Sequence, residues 1–141
     1  MEKKAKFYIK AVQSDNQGVS TDLELYTNGT INVDGDDFMI TYAESEDSGL
    51  NGQITKLKGD KKGVEMSRDG EVSVDMRFEE GKSFATKYNT PYGAIELTVI
   101  GSKVEKNLNE QGGTLVLEYI LDFVGAESFM HKMYLEAKVQ N

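Results

Sequence analysis

The sequence predicts an all-β fold, one antiparallel β-barrel of roughly eight to ten strands. The first observation is a two-residue beat that starts near Phe7 and lasts to the end of the chain. Val72, Val74, Met76 and Phe78 share one parity, while Ser73, Asp75, Arg77 and Glu79 share the other. Leu115, Leu117, Tyr119, Leu121 and Phe123 repeat the pattern. Successive strand side chains point to opposite faces, so this period marks half-buried antiparallel strands. The second observation is that turn residues interrupt the beat at intervals suited to hairpins. The third is composition: fourteen glycines against one proline, and no tryptophan or cysteine. Tight turns joining real strands use glycine in this way.

Taken in order, Ala5 to Val12 places Phe7, Ile9 and Ala11 on one face, and Asp15-Asn16-Gln17-Gly18 is a turn. Thr21, Leu23 and Leu25 begin a second strand, which Asn28-Gly29 is expected to interrupt as a bulge or hairpin turn. Ile31 and Val33 lead to an Asp34-Gly35 turn, then to Phe38, Ile40 and Tyr42. Glu44 to Gly52 is a polar loop. Ile54 to Lys58 and Gly63 to Ser67 form weaker strands around the turn Gly59-Asp60-Lys61-Lys62. Asp69-Gly70 is the strongest hairpin signal, with both residues able to take positive φ. Phe84, Thr86 and Tyr88 lie on the next strand, followed by the turn Thr90-Pro91-Tyr92-Gly93. Ile95, Leu97 and Val99 come next, then Thr114 to Val124 and Phe129 to Val139. Residues 102–110 and 127–139 each have a helical alternative, because Val104 and Leu108 are four apart and Phe129 to Ala137 has good helix propensity. In the second segment strict alternation groups Phe129, His131, Met133, Leu135, Ala137 and Val139, and favours a strand. No linker or repeat divides residues 1–141, so one domain is expected.

Twenty-four acidic against sixteen basic residues give a net charge of −8. The 13 acidic and 9 basic residues of 1–70, and the 11 and 7 of 71–141, make each half −4. Such a chain repels phosphate backbones and anionic membranes, so neither nucleic acid nor membrane is an expected partner. The basic cluster Lys56, Lys58, Lys61 and Lys62 lacks the interleaved aromatics of a nucleic-acid groove. Without cysteine there are no disulfides or thiolate metal sites. Lys6 and Lys10 interrupt what a secretory leader would need as an apolar stretch, and a cytoplasmic location is expected.

Enzyme signatures are missing: there is no Gly-x-Ser-x-Gly elbow, phosphate-binding loop or His-Glu-x-x-His. Glu79 and Glu80 are adjacent and would face opposite sides of a strand. Asp34-Gly35-Asp36-Asp37 fails as a calcium loop, because Thr30 and Thr41 stand where carboxylates are needed. No cofactor is expected. Arg77 should point outward and pair across strands with an acid such as Glu96 or Glu118.

The residues that carry binding chemistry are Tyr42, Glu44, Tyr88, Tyr119 and His131. On inward parity they would line the cavity of a small barrel and orient a ligand. His131, the only histidine, would orient a ligand or titrate near neutrality. The plainer outcome has His131 satisfied by a backbone carbonyl, the tyrosine hydroxyls at the barrel mouth and Glu44 in solvent.

Several ordered features resemble one family. The Arg68–Gly70 hairpin, Arg77-Phe78, Tyr88 and Thr90-Pro91-Tyr92-Gly93-Ala94-Ile95-Glu96-Leu97 come in sequence, then Leu108-Asn109-Glu110-Gln111-Gly112-Gly113-Thr114-Leu115-Val116-Leu117-Glu118-Tyr119. Together with Tyr42-Ala43-Glu44 they are similar to the YwiB-like family of small bacterial β-barrel proteins of unknown function. The resemblance covers nearly the whole chain and implies a calycin-like (lipocalin-like) barrel, closed or nearly so, with no catalytic residues to carry over. Small apolar ligands enter only by analogy with other calycin-like folds. The expectation is a non-catalytic cytoplasmic barrel that binds a small molecule or partner. The alternative is an interaction protein that self-associates as a homodimer through a sheet face or edge, because Val116, Ile120 and Val124 share the outer parity.

Overall fold

The alternating sequence folds into ten strands in a computed structural model that describes residues 2–44, 53–70 and 73–140. They are β1 (Lys3–Ser14), β2 (Ser20–Asp34), β3 (Asp37–Ala43), β4 (Ile54–Gly59), β5 (Val64–Asp69), β6 (Val74–Phe78), β7 (Ser83–Thr90), β8 (Gly93–Asn109), β9 (Gly112–Phe123) and β10 (Ser128–Val139). One antiparallel sheet runs β6-β5-β4-β3-β2-β1-β10-β9-β8-β7. Sequential strands are neighbours except β6 and β7, which form the two edges, and the first and last strands, β1 and β10, pair with each other.

The sheet curls until its two edge strands meet, giving a nearly closed barrel. Ser73 and Asn89 exchange two backbone hydrogen bonds, of 3.0 and 2.9 Å. The Thr86 hydroxyl donates to the Asp75 carbonyl at 2.7 Å. Further along, the turn after β6 is stitched to β8: Gly81 donates its N–H to the Gly101 carbonyl, and Gly101 to the Lys82 carbonyl, each at 3.0 Å. The β8–β9 register shifts between Gly101 and Lys103, a bulge that bends β8 where this turn docks. A Cβ on Gly101 would collide with the Glu79 backbone, so the bulge needs glycine for space.

The barrel is packed at one end. Phe38, Ile40, Leu57, Val64, Phe78, Leu115, Leu117 and Leu135 are all buried there or in the middle of the core. Each fully buried side chain of this kind contributes about 1.5–3 kcal/mol relative to exposure. Arg77, pointing outward from β6, ties that end together. Its Nη1 and Nη2 each donate to one carboxylate oxygen of Asp60 at 3.0 Å, and its Nε donates to Glu79 at 2.9 Å. Glu65, opposite on β5, lies 3.6 Å away. The Lys106 ammonium reaches across from β8 to the Asp60 carbonyl.

Several expectations need correction. Arg77 does not pair with Glu96 or Glu118; its partners come from β5 and from the turns flanking β5 and β6, and Glu118 pairs with Lys103 instead. Asn28-Gly29 does not interrupt a strand, because β2 runs through it, with Gly29 opposite Ala5 on one side and Tyr42 on the other. Glycine is required there by crowding: a Cβ would collide with the Thr41 carbonyl. Asp69-Gly70 does lead from β5 towards β6, but neither residue has positive φ. Both helical alternatives are strands. Val104 and Leu108 lie on β8, and Phe129 to Val139 keeps the alternation that placed Met133, Leu135 and Ala137 in the core. Most of the expected polar loop, residues 45–52, lies outside the described residues.

Candidate ligand-binding cavity

At the other end the barrel is hollow. A cavity of about 530 Å³ lies under the β1–β2, β7–β8 and β9–β10 turns. That volume falls within the range of small-molecule sites. Its walls are mostly apolar, with Ile9, Leu25, Leu97, Leu121, Phe129 and Met133 among them. All five residues singled out from the sequence, Tyr42, Glu44, Tyr88, Tyr119 and His131, line this one space.

A row of direct cross-strand neighbours supplies one polar wall. Gly29, Tyr42, Thr55 and Arg68 face each other in turn across β2, β3, β4 and β5. Directly opposed residues share a face, so the buried Tyr42 and Thr55 carry Arg68 inward with them. Glu44 joins the row from the end of β3, where its N–H donates to the Gln53 carbonyl at 2.9 Å. Its side chain is only 4% exposed. It is therefore a buried cavity carboxylate, which overturns the reading of Glu44 in solvent. The Thr55 hydroxyl donates to Glu44 Oε1 at 2.9 Å, and Arg68 Nη2 lies 3.8 Å from the same oxygen. Arg68 Nε donates to Thr55 Oγ1 at 3.4 Å. Burial, then the Glu44 charge, pushes the Tyr42 phenol well above its ordinary pKa and keeps it neutral.

Tyr119 and His131, opposed on β9 and β10, form the second polar feature. Their rings stack at 5.1 Å, 3° from parallel. Tyr119 also packs on Phe78 at 4.4 Å, where the cavity gives way to the packed core. Burial, aided by the Arg68 charge, lowers His131 to a pKa of about 4. A histidine titrating near neutrality is thereby corrected: this imidazole is neutral across the physiological range. Tyr88 lies half-buried on β7 and lines the same cavity.

Arg68, like Gln13 and Lys132, is a polar lining residue that sequence reasoning missed as a site. The signal was there, because Val64, Met66 and Arg68 share a parity. The adjacent Asp69-Gly70 turn signal placed Arg68 at a hairpin rather than on a wall. Among the described residues no cluster of His, Cys, Asp or Glu could hold a metal ion. Glu44 is the sole carboxylate among the described lining residues. No helix of the described residues is long and apolar enough to cross a membrane.

Comparison with known proteins agrees with the barrel. The chain is 26% identical over 126 residues to the uncharacterized β-barrel protein YwiB of Bacillus subtilis (strain 168), covering 89% of this chain and 87% of that protein. The crystal structure of the ywiB protein from Bacillus subtilis superposes with a TM-score of 0.85, covering 99% of this chain and 94% of that one. The family described as Domain of unknown function (DUF1934) matches residues 8–135. On that match the chain, a ten-stranded barrel hollow at one end, belongs to the DUF1934 family.

Proposed function

We propose that this protein is a non-catalytic cytoplasmic module that binds a small, largely apolar molecule in the hollow end of its barrel. The observation that carries the reading is the cavity itself: apolar walls around a few converging polar groups at drug-like volume. Acid–base work by paired carboxylates needs a second acid, and the described lining holds Glu44 alone. His131, neutral and stacked, suits orientation better than proton transfer near neutral pH. The cysteine-free, acidic chain suits a reducing compartment.

Native mass spectrometry of the purified protein, alone and with naphthalenemethanol, tests this reading. A one-to-one adduct is expected, and Leu23→Trp, which fills the cavity from its half-buried rim, should abolish it. Equal binding by that variant would place the probe elsewhere and remove the proposal.

A second reading, self-association, is favoured by a row on the outer face. Ile100, Ile120 and Met130 are direct neighbours across β8, β9 and β10, and Met130 is 56% exposed. Sedimentation velocity should then show a dimer that Ile120→Lys dissociates; monomer at every concentration would exclude it.

A further inference from the structure

Six ring side chains, Tyr42, Tyr88, Tyr119, Phe123, Phe129 and His131, line the cavity. Rings of this kind pack best against a flat, apolar body, by offset stacking or edge contact. The charges beside them are unevenly distributed. Arg68 and Lys132 are the described cationic lining residues, against the single carboxylate of Glu44. That carboxylate is already engaged through Oε1 by Thr55. Among the described residues the Arg68 guanidinium has two polar contacts, at 3.4 Å to Thr55 and 3.8 Å to Glu44. The second is too long for a hydrogen bond. A guanidinium carries five N–H donors in a fixed fork, so among the described residues most of the donors of this cavity-lining side chain are uncommitted. The phenols of Tyr88 and Tyr119, also in the lining, add further donor groups.

We infer that the occupant is a flat, apolar monoanion such as an aryl carboxylate, with its charged end against Arg68 and its body among the rings. The inference rests on the cavity reading above and adds the ligand's charge and shape. Arg68 grips both carboxylate oxygens as a fork, at the edge of a low-dielectric space where charge-assisted hydrogen bonds are strong. A cation would meet Arg68 directly. A neutral molecule would leave the fork unmatched.

Isothermal titration calorimetry with naphthoate, naphthalenemethanol and naphthylmethylamine separates these cases, because the three share one body and differ in charge. Naphthoate should bind at least about tenfold tighter than the alcohol, and the amine weakest. Arg68→Gln should erase the preference for naphthoate while still binding the alcohol, which also shows that the variant is folded. Arg68→Lys should retain part of the preference. Equal affinities for acid and alcohol in the unaltered protein would overturn the inference and leave the cavity reading standing. Tightest binding of the amine, or a preference that survives Arg68→Gln, would also overturn it. No binding of any of the three would remove both readings.

Discussion

Tyr119 and His131 stand directly opposite each other on β9 and β10 and stack face to face, 5.1 Å between ring centroids. The pair sits where the hollow end of the barrel meets the packed end, since Tyr119 rests on Phe78 beneath it. Its position accounts for the neutral state of the imidazole: burial in the cavity wall, with Arg68 nearby, disfavours the cation.

The imidazole should therefore titrate with a midpoint near pH 4, against 6.5 for an ordinary histidine. Between those values the unfolded chain takes up the proton first, so stability falls as pH drops through that window and is unaffected above it. The cost at and below the lower midpoint is about 3 kcal/mol. His131→Phe keeps the stack and removes the proton site, so its stability should lack this component. NMR of the single imidazole reads the midpoint directly, and Arg68→Gln should raise it. A midpoint near 6.5 would contradict a buried ring.

The Thr55 hydroxyl is fully buried and donates to Glu44. Thr55→Val preserves shape and leaves the carboxylate without that donor, so urea unfolding should show a loss of about 1–2 kcal/mol. Thr55→Ser should recover most of the hydrogen-bond contribution. An unchanged Thr55→Val midpoint would mean that water replaces the hydroxyl.

At the packed end, the Arg77 guanidinium holds the Asp60 carboxyl well below the usual carboxylate range. A depressed acid stabilises the fold above its unfolded pKa, and that contribution is lost as pH falls through the folded value. Asp60 is 48% exposed, so solvent screening limits the effect. Arg77→Met should cost about 1 kcal/mol near neutrality and less in strong acid. A double-mutant cycle with Asp60→Asn should return most of that energy as coupling; additive losses would show that the bidentate pair is not maintained in solution.

Gly29→Ala drives a methyl into the Thr41 carbonyl across β2 and β3. A loss of about 2–3 kcal/mol in chemical denaturation is expected. Gly18→Ala, at positive φ in an open turn, should cost only about 1 kcal/mol. A milder effect at Gly29 than at Gly18 would contradict the continuous β2.

Parity made much of this legible in advance. Wherever apolar residues alternate strictly, as from Leu115 to Phe123, the sequence states which side chains face inward. The inward run through Tyr42 and the C-terminal run through His131 could therefore be assigned to one interior. What parity does not carry is which strands lie side by side. Gly29 looked like a turn because Asn-Gly is a local turn signal; only its register against Thr41 and Tyr42 shows that space is the constraint. Arg77 found Asp60 rather than Glu96 because a turn between β4 and β5 swings under β6, a tertiary fact with no local signature. Glu44 looked solvated because the polar residues after it read as loop, while Thr55 and Arg68, from two other strands, supply its burial and partners.

The central claim is that one end of this barrel is hollow and admits a small molecule while the other is filled. Amide NMR during titration with naphthalenemethanol tests it most directly. Perturbations should gather at Leu25, Tyr42, Tyr119, His131 and Met133 and leave Phe38, Leu57 and Val64 unmoved. No perturbation at saturating probe, or changes centred on the packed end, would contradict it.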